Sequence, residues 1–212
     1  QGDCGGSCTF QNAPIGAIDY DSHELKLDYS GDSFRGALGA FYTEGTDDYL
    51  FEYVLVPDLA EGAVYGLDED PSAARVTLTD STTETEVVSF FAEGQYTLPG
   101  GATRVGAEVR WSETTLTATN NATGLELEET FTAVTPRFTV EHDLTDYSLV
   151  YGSIARGAKA GGFNPTAVAE EFQVFDEEFN WTYELGAKNT FMDGRLVLNG
   201  ALFYTDWSDV QI

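Results

Sequence analysis

A chain of 212 residues has room for one or two soluble domains or for one large sheet, and 36 acidic against 10 basic residues give it a net charge of -26. That balance excludes a polyanion-binding surface, so nucleic acid is not an expected partner; it describes a solvated, self-repelling surface or one that attracts cations. No apolar run approaches the roughly 18 residues of a membrane-spanning helix, which excludes a transmembrane helix but not a membrane barrel, whose strands are short and half apolar.

The chain opens with "QGDCGGSCTF", in which three small residues separate Cys4 from Cys8. The spacing is not the CxxC of redox or zinc sites, and no second ligand pair exists. A small loop disulfide is expected, and with it an oxidising compartment; two free thiols are the alternative. No signal-peptide series precedes them, so the true N-terminus is expected to lie upstream.

A two-residue period then recurs along the chain, and helical spacing appears nowhere at length. In "HELKLDY", Leu25, Leu27 and Tyr29 alternate with Glu24, Lys26 and Asp28. "FRGALGAFYT" sets Phe34, Leu38, Ala40 and Tyr42 against Arg35 and Thr43, and "VVSFFAEGQYT" sets Val88, Phe90, Ala92 and Tyr96 against Ser89, Glu93 and Gln95. In "TRVGAEVRWS" Val105, Ala107, Val109 and Trp111 oppose Arg104, Glu108, Arg110 and Ser112. "VTPRFTVE" places Val134, Pro136, Phe138 and Val140 against Thr135, Arg137, Thr139 and Glu141, whereas "YSLVYGSIARG" is apolar on both faces until Arg156. A closing hairpin turns at "MDG", with Tyr183, Leu185, Ala187 and Phe191 before it and Leu196, Leu198, Leu202 and Tyr204 after it. Glu184, Lys188 and Asn199 fill its other face.

These segments predict an all-β fold, an antiparallel up-and-down meander of about eight strands arranged as four hairpins. Tight turns at "SGDS", "LPGGA", "DLTD" and "MDG" alternate with long excursions at 44–83, 113–130 and 157–180. Short turns at one end and long loops at the other are the habit of outer-membrane barrels. Tyr29, Phe34, Tyr96 and Phe191 at the turn ends, with Tyr42, Trp111, Tyr183 and Tyr204 at the loop ends, would form the two aromatic girdles of a transmembrane β-barrel. Inverting the faces gives a soluble, lipocalin-like barrel, which periodicity alone does not reject.

The run "VTPRFTVEHDLTDYSLVYGSIARGAKAGGFNP" and the later "WTYELGAKNTFMDGRLVLNGALFYTDW" resemble the barrel of TonB-dependent outer-membrane receptors. The carrying motifs are the "TPRF" strand, the "DLTD" turn, the "ARGxKxGGFN" exit and the "YELGxKxxxxDGRL" hairpin. The likeness is strongest over 130–212. It implies an active transporter in the outer membrane of a Gram-negative bacterium, not an enzyme and without a cofactor, that imports siderophores, cobalamin or similar scarce nutrients. It also implies membrane lipid, a plug domain and the TonB complex as partners. Receptors of this kind carry a plug and about 22 strands, so 1–212 is expected to be a partial barrel without its plug. A small eight-stranded barrel with a structural or adhesion role is the alternative.

With the apolar face on lipid, Arg104, Glu108, Arg110, Arg137, Glu141, Arg156, Glu184 and Lys188 would line the lumen as a cross-strand lattice of mixed charge. In the family such a wall holds the plug, or it is simply solvated. Phe163, Phe172, Phe175 and Trp181 follow Arg156 in a long excursion, a candidate substrate surface or simply loop packing. "TEGTDD" and "GLDEDPS" lack calcium-loop spacing. His23 and His142 stand alone, so no metal centre is expected, and no nucleophile elbow or HExxH frames a catalytic group.

Overall fold

The structure, a computed structural model, describes residues 9–56, 74–164 and 170–211. Alternating β-branched, aromatic and charged residues form eight long strands: β1 (Thr9–Ser30), β2 (Phe34–Val56), β3 (Ala74–Thr97), β4 (Thr103–Asn120), β5 (Leu125–Thr145), β6 (Ser148–Lys159), β9 (Glu178–Phe191) and β10 (Leu196–Ser208). Between β6 and β9 lie the two-residue strands β7 (Gly162–Phe163) and β8 (Val174–Phe175), with one 3-10 turn at Glu170–Phe172. The long strands pair in the order β1-β2-β3-β4-β5-β6-β9-β10, and β7 pairs with β8 as a separate ribbon. The predicted eight-stranded meander is therefore the fold. Cys4 and Cys8, and the acidic "GLDEDPS" stretch, lie outside the described residues.

Two of the expected long excursions are instead largely strand. β2 continues to Val56, β3 begins at Ala74, and β4 and β5 run to within four residues of each other. Their turn is local chemistry: Asn120 Oδ1 accepts from the backbone N–H groups of Ala122 and Thr123 at 3.1 and 3.0 Å, and Gly124 takes a left-handed φ of 70°. An Asn side chain that mimics a backbone turn, followed by a residue free of Cβ, closes such a hairpin cheaply. Periodicity missed these extensions because "SETTLTATNN" has β propensity but almost no apolar residues to alternate.

The chain divides into two compact units. One comprises the described residues within 1–20, 45–85 and 117–128. A polar relay holds it: Thr82 Oγ1 donates to Asp48 Oδ1 at 2.7 Å, and Asn121 Nδ2 donates to Asp80 Oδ1 at 2.7 Å and to Thr82 Oγ1 at 3.2 Å. The other comprises the described residues within 21–44, 86–116 and 129–212 and contains the tight turns.

No conventional core forms among the described residues. Among the described residues only Ala37 and Phe131 are buried apolar side chains, whereas Leu25 is 76% and Leu202 79% exposed. Apolar exposure on this scale marks a face that meets something other than water. Stability must come from strand pairing and from neighbours laid flat on the sheet. At Gly186 the ring of Tyr151 lies where a Cβ would fall, at 2.5 Å, and its hydroxyl donates to Glu184 Oε1 at 2.6 Å.

Gly186→Ala is accordingly expected to push Tyr151 off the sheet and cost roughly 1–3 kcal/mol, the usual range for overpacking. Gly200→Ala, where an added Cβ meets nothing within 4 Å, serves as the control. Urea unfolding from detergent micelles should separate the two; equal midpoints would refute the packing role of that ring.

Candidate functional site

Register decides which side chains share a face. In one row Phe138 opposes Ile154, Ile154 opposes Tyr183 and Tyr183 opposes Tyr204. In the next apolar row Val140 opposes Gly152, Gly152 opposes Leu185 and Leu185 opposes Leu202. Between these rows, with side chains on the other face, Thr139 opposes Ser153 and Ser153 opposes Glu184, and in the row beyond Val140 Glu141 opposes Tyr151. One face is thus apolar and carries aromatic pairs, Tyr29 with Phe34 at 6.1 Å beside the β1–β2 turn, and Phe90 with Trp111 at 5.9 Å and Tyr183 with Tyr204 at 6.4 Å between ring centroids. Because the strands run on past them, these last four lie inside their strands and not at the loop ends where the sequence pattern set Trp111, Tyr183 and Tyr204. A shallow apolar groove of about 540 Å³ runs along it beside Phe138, Ile154 and Leu202.

The other face is a network of charge. Arg104 donates through Nε to Glu141 at 3.0 Å and through Nη1 and Nη2 to both carboxylate oxygens of Asp143 at 2.6 and 2.8 Å. Lys26 bonds Glu93 at 3.1 Å and lies 3.4 Å from Asp28, and Arg35 Nε donates to Gln95 Oε1 at 2.9 Å. Arg137 stands 3.9 Å from Glu108, Lys188 lies over the Tyr151 ring at 5.3 Å, and Arg110 lies over the rings of Phe41 and Phe91 at 5.5 and 5.9 Å. A polar recess of about 390 Å³ opens among Asp28, Arg35, Glu93, Gln95 and Glu108.

Arg104, Glu108, Arg110, Arg137, Glu141, Glu184 and Lys188 are therefore brought onto one face, whereas Arg156 is not. It opposes Trp181, in the register of Ile154 and Tyr183 on the apolar face. There its guanidinium stacks 3.9 Å above the Phe179 ring and donates to the Val134 carbonyl at 2.9 Å. Those contacts make a charge tolerable on that face, and a strand apolar on both sides gave no sign of its parity.

The proposed loop aromatics also separate. Trp181 is a strand residue of β9, opposite Arg156 and Asp206. Phe163 and Phe175 belong to the β7–β8 ribbon, and Phe172 to the turn before it, exposed. The ribbon is anchored: Phe131 is buried against Gly161, and the Thr132 N–H donates to Glu177 Oε1 at 3.3 Å. Gln211 closes the other side, donating through Nε2 to the Ala160 and Asp176 carbonyls at 3.0 Å each, while its N–H donates to the buried Glu178 at 3.0 Å. Among the described residues no group of three or more His, Cys, Asp or Glu side chains is placed to hold a metal ion.

Sequence reasoning overlooked Asp143, Tyr151, Phe41 and Phe91. Doubled aromatics such as "SFFAE" put one ring on each face and could have revealed Phe91. Nothing in "EHDLTD" distinguishes Asp143 from its neighbours.

An antiparallel meander with one exposed apolar face carrying aromatic pairs and one charged face has the pattern of an outer-membrane barrel wall. The family described as TonB dependent receptor-like, beta-barrel matches residues 9–212, and the chain belongs to that family. Among solved structures it is similar to the ferric yersiniabactin uptake receptor FyuA from Yersinia pestis, with a TM-score of 0.69 and 21% identity, covering 97% of this chain and 31% of that one. It is similar to the siderophore receptor PiuA from Acinetobacter baumannii at 0.71 and 18%, covering 90% and 32%. The ferric citrate transporter FecA in its unliganded form matches at 0.66 and 16%, covering 95% and 29%. The chain spans about a third of the length of each of these proteins. Likeness at these identities concerns the fold.

The charge network yields a local test. The Arg104 side chain is 20% exposed and forks onto Asp143, whereas Arg137 and Glu108 are 52% and 46% exposed and barely touch. Bidentate charge-assisted bonds hold, and exposed loose pairs contribute little. Arg104→Met should therefore speed amide exchange of the 140–147 segment several-fold, and Arg137→Met should leave its surroundings unchanged, as read by exchange mass spectrometry.

Proposed function

We propose that the chain supplies wall strands to an outer-membrane receptor of a Gram-negative bacterium that imports a ferric siderophore or similar iron chelate under TonB coupling. The observation that carries the reading is the two-faced meander in a member of this family: an exposed apolar face suited to lipid backs a charged face on which Arg104 and Lys26 pair with carboxylates across strands. Named neighbours are uptake receptors for ferric yersiniabactin and transporters of ferric citrate, which favours iron over cobalamin.

On this reading the face of Arg104, Glu108, Arg110, Arg137, Glu141, Glu184 and Lys188 borders the lumen and the plug domain, and Phe163, Phe172 and Phe175 belong to the outer surface that meets substrate. Strands β1 and β10 each have a single neighbour in the sheet. Hydrocarbon does not tolerate unpaired strand edges, so further strands of the same receptor would close the wall. The chain has no catalytic step to perform; its work is to hold a path open through the membrane.

Deleting the gene should abolish uptake of at least one radiolabelled ferric chelate in iron-starved cells, and deleting TonB should do the same. Unchanged uptake across catecholate, hydroxamate and carboxylate chelates would overturn the reading. The orientation has its own test. Val109→Arg should destabilise the membrane-inserted receptor by about 2 to 4 kcal/mol, as for lipid-facing arginine near a bilayer midplane. Glu108→Arg on the opposite face should cost far less, and equal effects in a membrane-folding assay would reverse the assignment.

A further inference from the structure

Arg156 is a cation on a face of leucines and aromatic rings. The register places it beside Trp181 and, across that residue, Asp206. The row before it, Ile154 with Tyr183 and Tyr204, is apolar, so Arg156 stands where the face turns polar on the side away from the tight turns. Its guanidinium gives Nη1 to the Val134 carbonyl at 2.9 Å and one flat side to the Phe179 ring at 3.9 Å. Those are its contacts among the described residues, and they leave most of a guanidinium's donors unused. Asp206 is two strand spacings away, about 10 Å with Trp181 between, too far to take the charge itself.

The apolar groove of about 540 Å³ begins next to this cation, at Ile154, and reaches Gly152 on the same strand. A Cβ built on Gly152 would meet only the Glu184 carbonyl at 3.8 Å and Leu185 Cδ1 at 4.0 Å, so the space above its backbone is open. Tyr183, Leu185 and Leu202 wall that space. At about 3.3 Å per strand residue Arg156 lies about 13 Å from Gly152, at the head of the groove.

We propose that Arg156 and the groove at Gly152 form a seat for one phosphate-bearing lipid, its headgroup phosphate on the guanidinium and an acyl chain running past Ile154 towards Gly152. The inference rests on the membrane orientation of the uptake reading, in which this face meets hydrocarbon and Arg156 stands on its outer side. A long cationic side chain at the edge of hydrocarbon reaches for the interface, and a phosphate there matches the planar fork of a guanidinium. An unbroken row of bulky side chains offers a lipid chain contact on one side only. A row interrupted at Gly152 offers it contact on several, and many weak contacts add up. Charge and groove lie in line along one strand, which fits a head and a chain of the same molecule.

The test titrates the whole receptor in detergent with dipalmitoyl phosphatidylglycerol and follows bound lipid by native mass spectrometry. Dipalmitoylglycerol keeps the chains without the phosphate, and glycerol 3-phosphate keeps the phosphate without the chains; each should bind at least tenfold more weakly. Arg156→Gln, and Gly152→Leu, which fills the groove, should each weaken the tightest-bound lipid at least tenfold. Arg195→Gln removes a cation that also donates to a main-chain carbonyl, that of Met192, but in the β9–β10 turn, and should leave that lipid unchanged. All three variants should keep the heat-modifiable gel mobility of the folded receptor. Wild-type lipid affinity in Arg156→Gln or Gly152→Leu, a partial ligand that binds as tightly as the lipid, or an equal loss in Arg195→Gln overturns the seat. Any of these with ferric-chelate uptake intact leaves the transport reading standing. Lipid binding that depends on Arg156 and Gly152 in a receptor that takes up no ferric chelate overturns the transport reading and leaves the seat.

Discussion

Backbone pairing between strands adjacent in sequence is the constraint on which everything else in this molecule depends. Without a buried core among the described residues, the ladder of N–H to carbonyl bonds must hold the sheet, and the ladder's register alone decides where each side chain points. A slip of one residue between β6 and β9 would carry Leu185 and Tyr183 to the charged side and bring Glu184 among leucines. Two-sided chemistry of this kind makes register expensive to lose.

The two faces meet that constraint in different ways. On the apolar side nothing but surface matters, and side chains such as Leu25 and Leu202 stand free of any protein neighbour that would shield them. On the charged side the groups satisfy one another across strands, Arg104 with Glu141 and Asp143, Lys26 with Glu93, and Tyr151 with Glu184. A wall that neutralises itself in this way does not depend on an occupant to be stable. Arg110 and Lys188 depart from this pattern, since the charge of each is left to aromatic rings, Phe41 and Phe91 for the first and Tyr151 for the second.

The hairpin of β9 and β10 was legible in the sequence because its two faces meet different surroundings, and the difference appears as period-two alternation. Leu185 opposite Leu202 and Tyr183 opposite Tyr204 are the positions that counting assigns. Alternation disappears where both faces are polar, as in 113–120, and where both are apolar, as before Arg156, so strand length and parity were lost at those places. Residue type announced the charged lattice, but not its partners. Asp143 reaches Arg104, 39 residues away in sequence, because β4 and β5 are neighbours in the sheet, and no local pattern records that pairing.

Gln211 follows the last strand, yet its side chain and backbone together make three hydrogen bonds to residues 160, 176 and 178. A side-chain amide can meet two carbonyls while its own backbone N–H meets a carboxylate from only one position along the chain. The number of residues between the "MDG" turn and Gln211 is therefore quantised: one inserted or deleted residue in β10 would turn the glutamine to the wrong side and release the β7–β8 ribbon from that edge. Substitutions in β10 can be absorbed one at a time, whereas a change in its length would be felt at the far end of the neighbouring loop.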